Sequence, residues 1–480
     1  MNLNTQFVFD GKLKRNLLLG MALGLVCLVW SAWGDDEYYT RFWTNYLHNA
    51  VYFTGIAFTA MFFLTAQITA FAGWIAAIKR VWEAMSQFML IGLILLLVIV
   101  AGVWGHFHHL YHWNTPGLVD PSSPLYDKII AGKAGFLSPV FFTIGTLGIL
   151  AIWYFWAYKI RRNSLNQDQH ETASFDYYKR ERRWAASFLP LGGFLSTVFL
   201  WELVMSIDPH WYSTMFAWYS MISMFLGGLA LMIMIILYLQ SKGYLEYVTR
   251  EHLHDLGKYL FGISVFWAYL WFDQFMLIWY ANIGEETIYF KERMEQYPVL
   301  FWGNLLMNFA VPFLILMRND TKRKIGTMFF VCLIVFFGHW WDFFYMIKPG
   351  ARTAAYEARE ISIGHSNHQE AAPLGSGHNA QPAGDTKHAA ASTDSHGGAP
   401  EGHENAATHD VAATKFELGF TIPGLQEIGA MIGFLSMFLF FFYRQLARAP
   451  LLPARDPFLE ESLHHATGVY PDGEEGGQSH

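Results

Sequence analysis

Four ionisable side chains stand inside long apolar runs, where charge is costly: Glu202, Asp273, His339 and Asp342. Asp273 is the lone formal charge between Lys258 and Gly284, amid mostly aliphatic and aromatic residues. At 1.5 Å per residue, such a run crosses a hydrocarbon core roughly 30 Å thick. A carboxylate at bilayer depth costs about 3 kcal/mol and normally faces a bundle interior or a wet cavity. Either Asp273 is structural, hydrogen-bonded to a neighbouring helix, or it belongs to a proton- or quinol-handling site. The test is whether other helices bring polar groups to the same depth.

They do. Counted from the helix ends, Asp273 is about ten residues deep, His339 about nine and Glu202 about five. Asp342 follows His339 by one i, i+3 step, which puts both on one helix face. The charges gather in one half of the membrane, and the expectation is a proton relay of Asp273, His339, Asp342 and Glu202. Deep aromatics, among them Trp267, Tyr269, Trp341 and above all Trp271 and Trp340, suggest either a flat slot for a quinone ring or plain core packing. A further cluster, His106, His108, His109 and His112, ends the third apolar run. Spacing of i, i+3, i+6 puts three of them on one helix face. Haem ligation with His48 or His339, interfacial proton exchange and an ordinary amphipathic helix end are all open readings.

These residues need helices to hold them. The composition is 53% hydrophobic and 15% charged, against about 25% charged for a soluble protein. There is no basic field suited to nucleic acid. Ten membrane helices are expected, near 16–33, 46–78, 85–110, 135–158, 184–206, 213–239, 257–282, 297–317, 325–347 and 423–443. The first reads as a retained span rather than a cleaved signal. The chain divides into a nine-helix region at 1–347, a His-rich loop at 348–422 on the outer side, a tenth helix at 423–443 and a tail at 444–480. Within the loop, 364–414 is rich in Ala, Gly, Ser and His and is expected to be largely disordered. Lys and Arg concentrate in alternate loops and at both termini, which predicts cytoplasmic termini. Cys27 and Cys332 lie in apolar runs and there is no C-x-x-C-H motif, so no iron–sulfur cluster or covalent haem is expected in this chain.

Two stretches echo each other. Trp201-Glu202 precedes Pro209, and Trp341-Asp342 precedes Pro349, each proline seven residues after its acid. Each proline is expected to stop its helix. The echo suggests two related four-helix bundles, spans 2–5 and 6–9, flanked by spans 1 and 10.

ELVMSIDPHWYSTMFAWY at 202–219 and HDLGKYLFGISVFWAYLWFDQFMLIWYANIGEET at 254–287 resemble the NrfD/polysulfide-reductase-type integral membrane family. Within it, they are similar to the second large (ActF-type) membrane subunit of alternative complex III, with the likeness covering about residues 12–350 and 420–456. The resemblance implies an all-α integral membrane subunit of a quinol:cytochrome c oxidoreductase in the bacterial inner membrane. Its partners would be a paralogous NrfD-like membrane subunit, an iron–sulfur subunit and c-haem subunits. Quinol would be the complex's substrate, with haem c and iron–sulfur clusters in those partners and no redox cofactor here. Proton conduction would fall to Glu202, Asp273, His339 and Asp342. A proton-coupled secondary transporter and a purely structural scaffold subunit are the rival readings.

Overall fold

The structure is a computed structural model. It describes residues 6–33, 35–169, 175–370 and 422–466, with side chains in the third stretch described to Arg359. Most of the His-rich 364–414 segment lies outside the described residues, as do 467–480. Among the described residues the chain is all-helical apart from one isolated bridge between Gln6 and Pro450.

Ten helices are long and apolar enough to cross a membrane. Spans 1–5 are Gly11–Ser31, Thr40–Thr69, Gly73–Gly105, Pro139–Gln167 and Phe175–Ile207. Spans 6–10 are Thr214–Ser241, Arg250–Ala281, Pro298–Leu316, Ile325–Arg359 and Leu425–Leu446. The chain is therefore a multi-pass, all-α membrane protein. Local chemistry sets several starts. Asp10 caps span 1, and Ser138 caps span 4 with Pro139 in its first turn. A reciprocal Thr249–His252 capping box opens span 7.

Spans 2–5 close one ring of neighbours, bundle A, and spans 6–9 close a second, bundle B. Spans 2 and 6 pack against each other at the centre, with 89% and 83% of their apolar windows buried. Spans 1 and 10 pair on the flank against span 2. A side chain at Gly24 would fall 2.2 Å from the Gly433 backbone, so glycine is what lets these two helices touch. The third helix of each bundle carries a single π-turn, Ile144–Gly148 in span 4 and Leu306–Ala310 in span 8. The two-bundle arrangement expected from the Trp-acid-Pro echo is present.

Several expectations fail locally. No helix runs over 46–78: the chain breaks at Phe71, whose φ is 56°, and Gly73–Ile78 already belongs to span 3. Pro349 does not end span 9, because the helix continues to Glu370. Interactions on both sides hold it, Lys348 to Asn45 at 2.5 Å and Arg352 to the Tyr297 hydroxyl at 3.1 Å. Proline inside a spanning helix is tolerated when neighbours restore what it removes. The third run stops at Gly105, with His106 left-handed at φ 50°, so the span 3 histidines never share a helix face. The tail at 444–480 is described to residue 466. Its first part returns to this chain, where Asp456 meets Lys79 at 2.9 Å and His465 meets Asp255 at 2.7 Å.

Candidate functional site

A polar cluster lies inside bundle B around Asp342, which is fully buried. Four donors from three other helices converge on its carboxylate. Ser223 of span 6 donates at 2.7 Å and Trp267 Nε1 of span 7 at 3.1 Å, both to Oδ2. Asn304 Nδ2 of span 8 donates to Oδ1 at 2.5 Å, joined there by the Tyr219 hydroxyl of span 6. The π-turn in span 8 supports this geometry. Asn308 within it donates to Asn304 Oδ1 at 2.5 Å and to the Gly338 carbonyl at 3.0 Å. Gly338 is required, since a Cβ there would fall 2.2 Å from Asn308 Oδ1.

His339 completes the cluster. Its Nδ1 lies 3.0 Å from Ser223 Oγ, and 3.9 Å from Asp342 Oδ2. Ser223 has one hydrogen and gives it to Asp342, so His339 Nδ1 carries the proton that bonds Ser223. In the neutral ring Nε2 is then an acceptor, buried and without a partner in the protein. His339, Ser223, Asp342 and Tyr219 thus form an unbroken hydrogen-bonded series of groups that can each take and pass a proton. Trp267 and Asn304 donate without relaying, and fix the carboxylate in place.

Between Asp342 and the end of the molecule opposite the basic loops lie further polar side chains, but the Tyr345 hydroxyl has no hydrogen-bond partner among the described residues, so the bonded series stops at Tyr219. Tyr345 is one turn further along span 9, its ring centroid 5.8 Å from the Arg293 guanidinium. Arg293 stacks 3.4 Å over Tyr289 and pairs with Asp208 at 2.9 Å. Burial opposes its charge, but Tyr289 and Asp208 outweigh that and raise its pKa. Beyond lies a cavity of about 260 Å³ whose lining includes Asp208, His210, Glu292 and Glu357. Burial pushes the Glu292 carboxyl up, with Arg293 opposing.

The four sequence-derived relay residues do not form one unit. His339 and Asp342 are together. Glu202 is fully buried in bundle A against the span 4 π-turn, where a side chain at Gly145 would fall 3.2 Å from its Cγ. Neither of its carboxylate oxygens has a hydrogen-bond partner among the described residues. Asp273 is partly exposed. The buried stripe of span 7 is Trp267, Leu270, Trp271, Gln274 and Ile278, and at 100° per residue Asp273 falls about 120° from its middle. The expected Asp273–His339 pair is not formed, because the helix turns the aspartate outward.

The aromatic slot is not formed either. Trp340 is stacked on His48 at 4.8 Å and donates to Asn49 at 3.0 Å, in the junction of spans 2 and 9. Trp271 packs on Phe301 at 5.0 Å, between spans 7 and 8. The two indoles serve different contacts.

The span 3 histidines scatter. His108 packs on Trp43 at 5.0 Å, His109 on Tyr38 at 4.0 Å, and His112 Nδ1 is 3.2 Å from Glu357. Burial draws His108 and His112 down to about 4, with neighbouring His210 adding to the shift of His112. His48 Nε2 is engaged at 2.9 Å with the Trp340 carbonyl.

The sequence reading missed three things. Tyr219, Ser223 and Asn304 are uncharged polar residues in apolar runs; the signals were Ser220 with Ser223 and Asn304 with Asn308, each pair on one helix face. Lys348 was assigned to a loop but is fully buried. It bonds Asn45, which in turn donates at 3.1 Å to Glu427, itself paired with Arg41 at 2.7 Å. Lys79 and Arg80 were counted as loop charges. They are buried, Lys79 between Glu181 at 2.8 Å and Asp456, Arg80 against Glu83 at 2.7 Å and Asp168.

No known family model matches this chain, and no curated protein matches it.

Proposed function

We propose that this chain is an integral membrane subunit of a respiratory quinol-oxidising complex, of the alternative complex III type, and that bundle B conducts protons while partner chains carry the electrons. The observation that carries the proton-conducting part is the buried series His339–Ser223–Asp342–Tyr219, with Tyr345, Tyr289 and Arg293 lying between it and an ionisable cavity. Ionisable groups inside a membrane bundle are costly and mark ion or proton pathways. The complex itself is supported by the two sequence stretches at 202–219 and 254–287.

In this reading His339 Nε2 receives the proton. Its Nδ1 proton passes to Ser223, whose own proton moves to Asp342; Tyr219 then takes a proton from Asp342 as it gives its own up to water on the cavity side. Spans 7 and 9 run unbroken past the cluster, which favours a fixed conduit over a carrier built on discontinuous helices. The Lys and Arg bias supports cytoplasmic termini; with that orientation the cavity would open on the outer face of the bacterial inner membrane.

The test is to purify the full complex gently from membranes and measure subunit composition, haem and iron content, and quinol-driven proton release. A paralogous membrane subunit, an iron–sulfur subunit and c-haem subunits should copurify in fixed ratio. A chain that purifies alone, or with no redox partner, rules out the respiratory reading. Asp342→Asn in an assembled complex should lose proton release; retention of the wild-type rate rules out the conduit.

A further inference from the structure

Asp273 has no role in the buried cluster, and its position raises a separate question. It lies eight residues from the end of span 7 at Ala281, roughly 12 Å along the helix. Among the described residues it makes no hydrogen bond and no ion pair. Its surroundings are apolar and outward-facing: Tyr269, Phe272, Met276 and Tyr280 are 58%, 54%, 41% and 85% exposed. An unpaired carboxylate on a lipid-facing surface at this depth is strongly unfavourable. A neighbouring helix that satisfied it would remove that cost.

We infer that the outward face of span 7 is a docking surface for a membrane-spanning helix of another chain, which presents a Lys or Arg to Asp273. Two features point to this occupant. Tyr269, Asp273, Met276 and Tyr280 follow i, i+4, i+7, i+11 spacing, the seam along which two helices pack. Tyr269, one turn before the carboxylate on the same face, offers its ring to a cation approaching Asp273. Charge complementarity also excludes a second copy of this chain as the partner. Among the described residues no exposed Lys or Arg lies at the depth of Asp273, so a copy supplies no counter-charge. This inference is independent of proton conduction through bundle B; it can fail while the conduit stands, and the reverse.

The test uses the full chain in its native membranes, with a photoreactive residue at Met276 and a control at Leu19 on the exposed face of span 1. Met276 should crosslink to a spanning segment of another chain that carries Lys or Arg at the crosslinked depth. Asp273→Leu should cut that crosslink at least fivefold and leave the chain's own melting temperature in detergent unchanged or higher. Asp273→Lys combined with an acidic residue in place of the partner's cation should restore it. Crosslinks to lipid alone, to a second copy or to a segment without a cation would overturn the inference. So would an undiminished crosslink in Asp273→Leu, or a lowered melting temperature, which would make Asp273 a structural residue of this chain.

Discussion

The two bundles place a carboxylate at corresponding points and treat it in opposite ways. Each has its acid on the fourth helix, preceded by tryptophan and facing a third helix that carries a π-turn. In bundle B, Asp342 receives Tyr219, Ser223, Trp267 and Asn304. In bundle A, Glu202 receives nothing from the protein. Just before the span 8 turn Asn304 reaches its acid, backed by Asn308 of the turn, whereas the span 4 turn offers Gly145 and a Thr146 hydroxyl that has no partner among the described residues. Three residues before each acid stand His339 in bundle B and Phe199 in bundle A. One scaffold thus holds a complete hydrogen-bonded series in one half and an isolated acid in the other. The backbone supplies the place, and the uncharged polar residues around it decide what the acid does.

The sharpest way to break this comparison is to remove the satisfied acid. Asp342→Ala leaves four buried donors without their acceptor, at about 1–3 kcal/mol for each left unsatisfied. Relaxation would recover part of that, and a loss of about 3–5 kcal/mol is expected, together with loss of proton release. Thermal unfolding of the detergent-purified protein reads the first and quinol-driven acidification the second. A melting temperature within a degree of wild type would mean that the four hydrogen bonds do not hold bundle B together.

The next largest effect converts bundle B towards bundle A. His339→Phe reproduces the phenylalanine found at Phe199, and should slow proton release several-fold while the Asp342 donors remain. Tyr219→Phe removes the other end of the series and should slow it similarly. Groups acting as one unit are non-additive, so the double variant should be little worse than either single one. Multiplying losses, measured as initial rates of proton release, would show two separate routes.

How much of this was legible beforehand follows from what each feature needs. The ten spans were readable because length and apolarity alone decide them. The bundle repeat was readable from Trp201-Glu202 and Trp341-Asp342, and the His339–Asp342 pair from i, i+3 spacing. Rotation of a helix is another matter. The outer face of span 7, with Tyr269, Phe272 and Met276, is as apolar as its buried stripe, so no periodicity showed that Asp273 points away. A soluble helix would have betrayed its outer face by its charges. The same uniformity hid the packing of Trp340 on His48. Tyr219, Ser223 and Asn304 carry no charge, and only the fold reveals that they share an acceptor. At the basic end, reading 46–78 as one helix put Lys79 and Arg80 in a connecting loop, when they open a buried ion cluster.

A smaller effect concerns the loop that caps bundle A. His108 and His112 lie outside the spans, and both have folded pKa values lowered to about 4. Free histidine titrates near 6.5, so between about 6.5 and 4 the unfolded chain binds more protons than the folded one. Stability should therefore fall as pH drops through that window, by up to about 3 kcal/mol per histidine, and stay level above it. Melting temperatures across pH 4 to 7.5 check this. His108→Gln and His112→Gln should each flatten part of the slope, and an unchanged slope in both single variants would assign the pH dependence elsewhere.

The smallest expected effect is also the most discriminating for the comparison. Glu202→Gln keeps the size of the side chain and removes its ability to ionise. Because no protein donor reaches either oxygen, the substitution breaks no hydrogen bond of the kind that Asp342 makes. The loss of stability should be well below that of Asp342→Asn, because no hydrogen bond is removed. Asp342→Asn, by contrast, turns an amide against a ring of donors and should cost about 1–3 kcal/mol. Measured side by side under one detergent and pH, the two isosteric changes should differ clearly in melting temperature. Equal losses would mean that Glu202 is held by donors as Asp342 is, and the contrast between the bundles would collapse. A near-silent Glu202→Gln that still slows proton release would sharpen it instead: the isolated acid of bundle A would then carry a proton without holding the fold.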